Sequence, residues 1–416
     1  MVLTAKAIAT TGKYSASRFP GYPIPEIAYS QLVGLGPVAF NALTAFLSGI
    51  ATIFFWQYVR TIAPKDAIPT SLAFAFAPVI FVNSTTSKDY VWALFFVMGA
   101  WYLCARGRSG LAGLALGLGI GSRLTSAVMV IPLSLTLFAA RPASLATRNT
   151  IWLVAGAAST AAIAFLPVWL TYGQGFLTFS DHTRYPELLL VMQRATIEVW
   201  GLVGLVGIGL VVAVRLVWPN LGSRETPIPT PLSRRLLCAW VLTIGMYYIA
   251  FARLPHQSGY LIPTVPFVLL LLASFLSRPL HWGVCGLLVL SSFVTVGRHG
   301  IQEGPIFVDY QARREGIHSV AKLIQVIRGL PDGSVAVVGW YLPMIVVSLT
   351  ESAAIDVDPS LLKRLVYLVD RPTLDTLSSS HIRIYYLEDV RELNRIQYGV
   401  DLQANGVPLN TKSSTP

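Results

Sequence analysis

The chain runs to 416 residues, of which 54% are apolar and only 12% charged, with a mean hydropathy of +0.61. An ordinary soluble domain carries about 25% charged residues, so a soluble globular fold is excluded and the repeated apolar runs indicate a polytopic membrane protein. The net charge of +11 is uneven: residues 1–299 hold 20 Lys and Arg against 7 Asp and Glu, while residues 300–416 hold 11 against 13. The basic excess belongs to the apolar part, and the polar part has no basic face to suit nucleic acid as a partner.

In chain order, residues 1–36 read as an external loop and juxtamembrane segment. Their opening, MVLTAKAIATTGKYSASRFPGYP, has no apolar core of the kind a secretory signal needs. Residues 37–299 form the transmembrane domain, with spans expected near 37–60, 69–85, 90–105, 111–122, 125–140, 151–171, 200–218, 236–252, 258–277 and 281–297. The fourth and fifth are short and suit a re-entrant pair or one long broken helix. Between them, Gly113, Gly117 and Gly121 fall on one helical face, the spacing of close helix packing. Cys104, Cys238 and Cys285 all lie within apolar runs and read as small buried hydrophobes. Residues 300–416 alternate between patterns: QARREGIHSVAKLIQVIRGL is helical, SVAVVGW and HIRIYYL are strand-like, and LEDVRELNRI is helical again. The fold class expected is thus a polytopic α-helical membrane protein of about ten spans, some short or broken, with a small C-terminal α/β domain.

Loop charge chooses the orientation. Arg60, Lys65, Arg106, Arg108, Arg141, Arg148, Arg224, Arg234, Arg235 and Arg278 fall on one set of loops, which the positive-inside rule places in the cytoplasm. Both termini, the gap at Lys88–Asp89, the loop 173–199 and the C-terminal domain then lie on the external face. Charged groups beside apolar spans are costly and are candidates for function. Those on the outer side include Arg18, Glu26, Lys88, Asp89, Arg123, His182, Arg184, Arg253 and His256. Arginine forks match phosphate oxygens, and a carboxylate holds a divalent cation or accepts a proton, so the set suits an anionic, phosphorylated substrate. Simpler roles stay open for each: a solvated turn at Lys88–Asp89, snorkelling for Arg123, interface anchoring for Arg253 and His256. At the strand end VAVVGWYLP, Trp340 and Tyr341 either pack or meet a sugar.

Three stretches carry a family resemblance: SRFPGYPIPEIAYSQLVGLGPVAFNALTAFLSGI, NSTTSKDYVWALFFVMGAWYLCARGRSGLAGLALGLGIGSRLTSAVMVIPL and HQSGYLIPTVPFVLLLLASFL. Together they resemble the GT-C-type integral-membrane glycosyltransferases, the superfamily of protein O-mannosyltransferases and the aminoarabinose transferase of lipid A. The resemblance covers roughly residues 14–297 through loose motifs. It implies transfer of a sugar from a polyprenyl-phosphate donor to a lipid, protein or glycan acceptor at the external face. Localisation would be the bacterial plasma (inner) membrane, with membrane lipid as a further partner. Asp89 occupies the place of the acid that binds metal or substrate in the second external loop, and Glu26 stands as the other catalytic acid. A divalent metal, Mg2+ or Mn2+, would then sit at Asp89. Arg123 leads the cations that would hold the donor phosphate, followed by Arg18, Lys88, Arg184 and Arg253. Tyr22, His182 and His256 would contact substrate.

One departure stands out. The family pattern has a cytoplasmic N-terminus, a first spanning helix and an acid early in the first external loop, whereas here no acid precedes Glu26. Against that pattern the first transmembrane helix is missing, so the expectation is either a start further upstream or a divergent, inactive member. Two alternatives from other classes are a transporter or flippase of a polyprenyl-linked or polar lipid, and a non-catalytic membrane subunit. A transporter would show repeats and polar groups near the midplane; no repeat between the halves is evident.

Overall fold

The computed structural model describes residues 1–177, 185–217, 234–297, 300–351 and 364–409. The chain divides into two compact units: Met1–Phe179 with Tyr185–Asp309, and a second containing Tyr310–Pro416.

The first unit is helical. It opens with α1 (Val2–Thr11) and α2 (Pro23–Ser30), then the long α3 (Gly36–Ile62). The short helices α4 (Ala67–Ala75) and α5 (Pro78–Ser84) meet at a 60° bend. Pro78 explains the bend: it lacks an amide donor and drives Ala77 out of the helical region, to φ −57° and ψ 129°. Next come α6 (Asp89–Ala105), α7 (Ser109–Ser122), α8 (Val130–Ala140) and α9 (Ala143–Tyr172). Beyond them lie α10 (Leu188–Ala195), α11 (Ile197–Trp200), α12 (Leu202–Val217) and α13 (Arg234–Arg253). A 3-10 segment, Ser258–Thr264, leads into α14 (Val265–Phe275), and α15 (Arg278–Phe293) follows.

Four helical stretches are long and apolar enough to cross a bilayer: Val38–Ile62, Ala143–Phe176, Arg234–Arg253 and Ser258–Phe275. Counting each of two bent pairs as one span makes six. The apolar helices Asp89–Ala105, Ser109–Ser122 and Leu124–Ala139 are shorter. This is a helical membrane protein among its described residues, with fewer full-length spans than the ten apolar runs suggest. The last run is not helical throughout: Val294–Gly297 is an extended strand, β1, paired antiparallel with β2 (Gly300–Glu303). Val294, Thr295 and Val296 favour extended backbone, and the run leaves the helix there.

The glycine face packs as its spacing implies. A Cβ on Gly113 would stand 2.4 Å from the Leu153 carbonyl, and one on Gly117 would stand 2.5 Å from Thr160 Cβ. On Gly121 it would lie 2.7 Å from Ala164 and 2.8 Å from Ile24. Three missing side chains thus seat α7 against α9 and bring α2 to its end.

The second unit is a small α/β fold entered through α16 (Pro305–Arg328), within which the unit boundary falls. Its strands are β3 (Ser334–Val337), β4 (Leu365–Val366), β5 (Arg383–Tyr386) and β6 (Gly406–Pro408), with α17 (Leu342–Glu351), α18 (Arg371–Ser379) and α19 (Glu388–Tyr398) between them. All neighbours are parallel, in the order β4-β3-β5-β6. β3 is buried at every position, as a central parallel strand covered on both faces should be.

Candidate functional site

The site begins with a folded loop. Glu26, in the first turn of α2, is fully buried and is the hub of residues 14–22. Its Oε1 accepts the Ser17 amide at 2.8 Å and the Ser17 hydroxyl at 2.6 Å. Its Oε2 accepts the Tyr22 amide at 3.0 Å and the Tyr14 hydroxyl. Four donors occupy an acceptor-only carboxylate, so its hydrogen-bonding capacity is spent on the loop. Burial first, then the Glu26 charge, pushes the Tyr14 phenol well above its ordinary value. Glu26 therefore positions this loop, with all four of these donors drawn from residues 14–22.

That loop delivers Arg18, the residue after Ser17. Arg18 Nε donates to the Tyr22 hydroxyl at 2.7 Å, and its Nη2 stands 3.7 Å from Asp89 Oδ1. Its side chain remains 45% exposed. Tyr22 itself is buried, and burial followed by the nearby Asp89 charge pushes its phenol up to about 12.

Asp89 is the first residue of α6 and is 3% exposed. A carboxylate there is favoured by the unsatisfied amides and the positive end of the helix. Arg123 Nη1 donates to Asp89 Oδ2. Arg123 sits where α7 stops: its amide bonds the Gly119 carbonyl, and its backbone is extended at φ −160° and ψ 116°. Its guanidinium packs against two rings, 4.4 Å from the centroid of Tyr90 and 4.4 Å from that of Tyr260, and the rings themselves meet edge-to-face at 5.9 Å. Stacking of this kind strengthens as water is removed. The Tyr90 hydroxyl donates to Gln257 Oε1 at 2.7 Å, and Gly259 lies directly against the Tyr90 ring. The start of α6, the end of α7 and the segment Ser258–Thr264 are thereby fastened together.

Of the expected residues, Arg18, Tyr22, Asp89 and Arg123 come together. Lys88 is exposed at the cap of α6, next to Asp89 in the chain. Arg253 is exposed at the end of α13, and His256 is half-buried beside Gln257 in sequence. His182 and Arg184 lie outside the described residues. Tyr90, Tyr260 and Gln257 were not singled out by sequence reasoning, although Tyr90 follows Asp89 directly and Tyr260 lies in the quoted GYLIP stretch.

The charge balance decides what the cluster can do. Two guanidiniums face one carboxylate, and a helix N-terminus adds further positive potential. An anion is attracted to such a site. A divalent cation is not: both Asp89 oxygens face arginines, and among the described residues no three His, Cys, Asp or Glu side chains gather as ligands. The donor set therefore does not fit the Mg2+ or Mn2+ expected at Asp89. Comparison with protein-family models, curated proteins and solved structures finds no match to this chain.

Proposed function

We propose that the protein is a GT-C-type membrane glycosyltransferase, moving a sugar from a polyprenyl-phosphate donor to a lipid, protein or glycan acceptor. The observation that carries this reading is the Arg18–Asp89–Arg123 cluster, which has one cation more than it has anions and a half-exposed arm in Arg18. A phosphate leaving group develops negative charge, and preorganised cations at that point lower the barrier. Arg123 is held by Asp89 and two tyrosines, so it serves as a fixed pin. Arg18 is the arm that reaches the phosphate oxygens, and Glu26 aims it through Ser17. Asp89 orients both. Lys88 and Arg253 add to the positive field of the same outer surface. The excess of Lys and Arg on the opposite loops supports a reading in which this end of the helices and the C-terminal α/β unit face the outside of a bacterial plasma membrane.

The test is to incubate membranes holding the full chain with labelled polyprenyl-phosphate sugars and follow label into lipid, protein and glycan fractions. Transfer that falls sharply in Arg18→Ala and Asp89→Asn supports the assignment. Translocation of the lipid without transfer, or transfer unchanged in both variants, overturns it.

A further inference from the structure

The α/β unit carries a feature that the phosphate cluster does not use. From β3 the chain crosses to β4 on one side, and from β5 it crosses to β6 on the other. The strand order therefore reverses between β3 and β5, which are paired in parallel from Ser334↔Arg383 to Val337↔Tyr386. In an open parallel sheet, connections leaving two such strands diverge, and ligands bind in the crevice beyond their carboxyl ends.

Here the rims are Val338–Tyr341 and Leu387–Asp389. They are held close: the Leu387 amide lies 3.4 Å from the Val337 carbonyl. Gly339, at φ +50°, lets the first rim touch α19, because a Cβ there would stand 2.8 Å from Val390. Tyr341 is half-buried, and burial together with the facing Asp389 carboxylate raises its phenol. Asp389 is exposed. Asn394 braces the far side, accepting the Val369 amide at 2.7 Å and donating to the Val369 and Val400 carbonyls.

The surroundings select against phosphate. Crevices that hold phosphate offer free amides at a helix N-terminus. Here Pro343, the second residue of α17, has no amide hydrogen to give. Glu388 and Asp389 already occupy the first turn of α19 and repel an anion. Arg391 is engaged by Glu388 at 3.0 Å and Asp401 at 2.8 Å. What remains is the Asp389 carboxylate, which takes the Tyr341 hydroxyl, is oriented by it and keeps acceptor capacity for further hydroxyls, and the apolar ring of Tyr341 beside it. We propose that the β3/β5 crevice binds a neutral saccharide, Asp389 accepting from adjacent ring hydroxyls and Tyr341 lining its C–H face.

This site stands independently of the donor-phosphate cluster. The full chain in lipid nanodiscs is titrated with maltose, cellobiose, mannobiose and N,N′-diacetylchitobiose, read by saturation-transfer NMR. Glucose 6-phosphate and inorganic phosphate are the charged comparisons. Saturable binding of at least one neutral disaccharide is expected, about tenfold weaker in Asp389→Asn and in Tyr341→Phe. Arg18→Ala should leave it unchanged, which separates this site from the phosphate cluster. Amide exchange in β3 and β5 verifies that each variant is folded, and Tyr341→Phe keeps the ring should Asp389→Asn disturb the sheet. The proposal fails if no neutral disaccharide binds, if glucose 6-phosphate binds better than all four, or if both folded variants bind as the parent does.

Discussion

Two buried aspartates stand at either end of the α4–α5 pair, and they are built differently. Asp66 is fully buried; it accepts from Trp282 Nε1 at 2.9 Å and has Arg278 Nε at 3.7 Å. Both of these partners come from α15, and Thr70 ties the same turn to His281 on that helix. Asp89 meets two guanidiniums, and one of those is itself enclosed by tyrosine rings. The first arrangement fastens α4 to α15. The second is left positive, with Arg18 reaching toward solvent. A buried carboxylate alone is therefore no mark of a site; the surplus of charge around it is.

The largest effect is expected from Arg123→Ala. Removing the buried partner leaves Asp89 with the half-exposed Arg18 at 3.7 Å as its remaining cation, so the cost should fall toward the lower end of the roughly 3–5 kcal/mol of a broken buried pair. Chemical denaturation in detergent would measure it, and a loss below about 1 kcal/mol would show that Arg123 does not pin Asp89. Lost transfer in this variant would then report folding as much as chemistry. Next comes pH. Tyr22 titrates near 10 unfolded and is raised to about 12 in place. Its contribution is complete below pH 10 and declines as pH rises toward 12. Two pH units correspond to about 2–3 kcal/mol. Thermal unfolding of the parent should weaken across that window, and Tyr22→Phe should remove this part of the slope.

At the Asp66 end, Asp66→Asn keeps the shape but weakens hydrogen bonds to a charge, for a loss of about 1–3 kcal/mol. Transfer per folded molecule should not change. A variant that folds as well as the parent yet loses transfer would erase the distinction between the two aspartates.

The membrane class was legible because apolar runs need no partner to be recognised. The packing of α7 was legible too, since small residues four apart leave a groove whatever fills it. Lys88–Asp89 and Arg123 were found because charge beside apolar runs is conspicuous. The tyrosines were not: Tyr90 and Tyr260 are 170 residues apart in the chain, yet their rings meet edge-to-face at 5.9 Å with the Arg123 guanidinium against both. The surroundings of Glu26 were hidden for a related reason. An acid near an apolar run looks the same in sequence whether it faces a substrate or closes a loop, and its four donors lie at Tyr14, Ser17 and Tyr22. The run 281–297 read as one span because hydropathy alone does not see Val294–Val296 leave the helix.

The smallest change in stability should be the most telling. Arg18 and Arg278 each stand 3.7 Å from a buried aspartate, with side chains 45% and 39% exposed. Solvent screening at that exposure leaves each ion pair worth below about 1 kcal/mol, so alanine at either position should unfold at nearly the same denaturant concentration as the parent. Their effects on anion binding should part. Arg18→Ala removes the exposed cation from the cluster with a surplus, and polyprenyl-phosphate affinity should fall about tenfold to a hundredfold. Arg278→Ala removes a cation from a latch between α4 and α15 and should leave that affinity in place. Arg18→Lys keeps the charge but not the fork, and recovers part of the loss. Equal losses for the two alanine variants, read by isothermal titration with polyprenyl phosphate in nanodiscs, would mean that both arginines act only through the overall positive field of the protein.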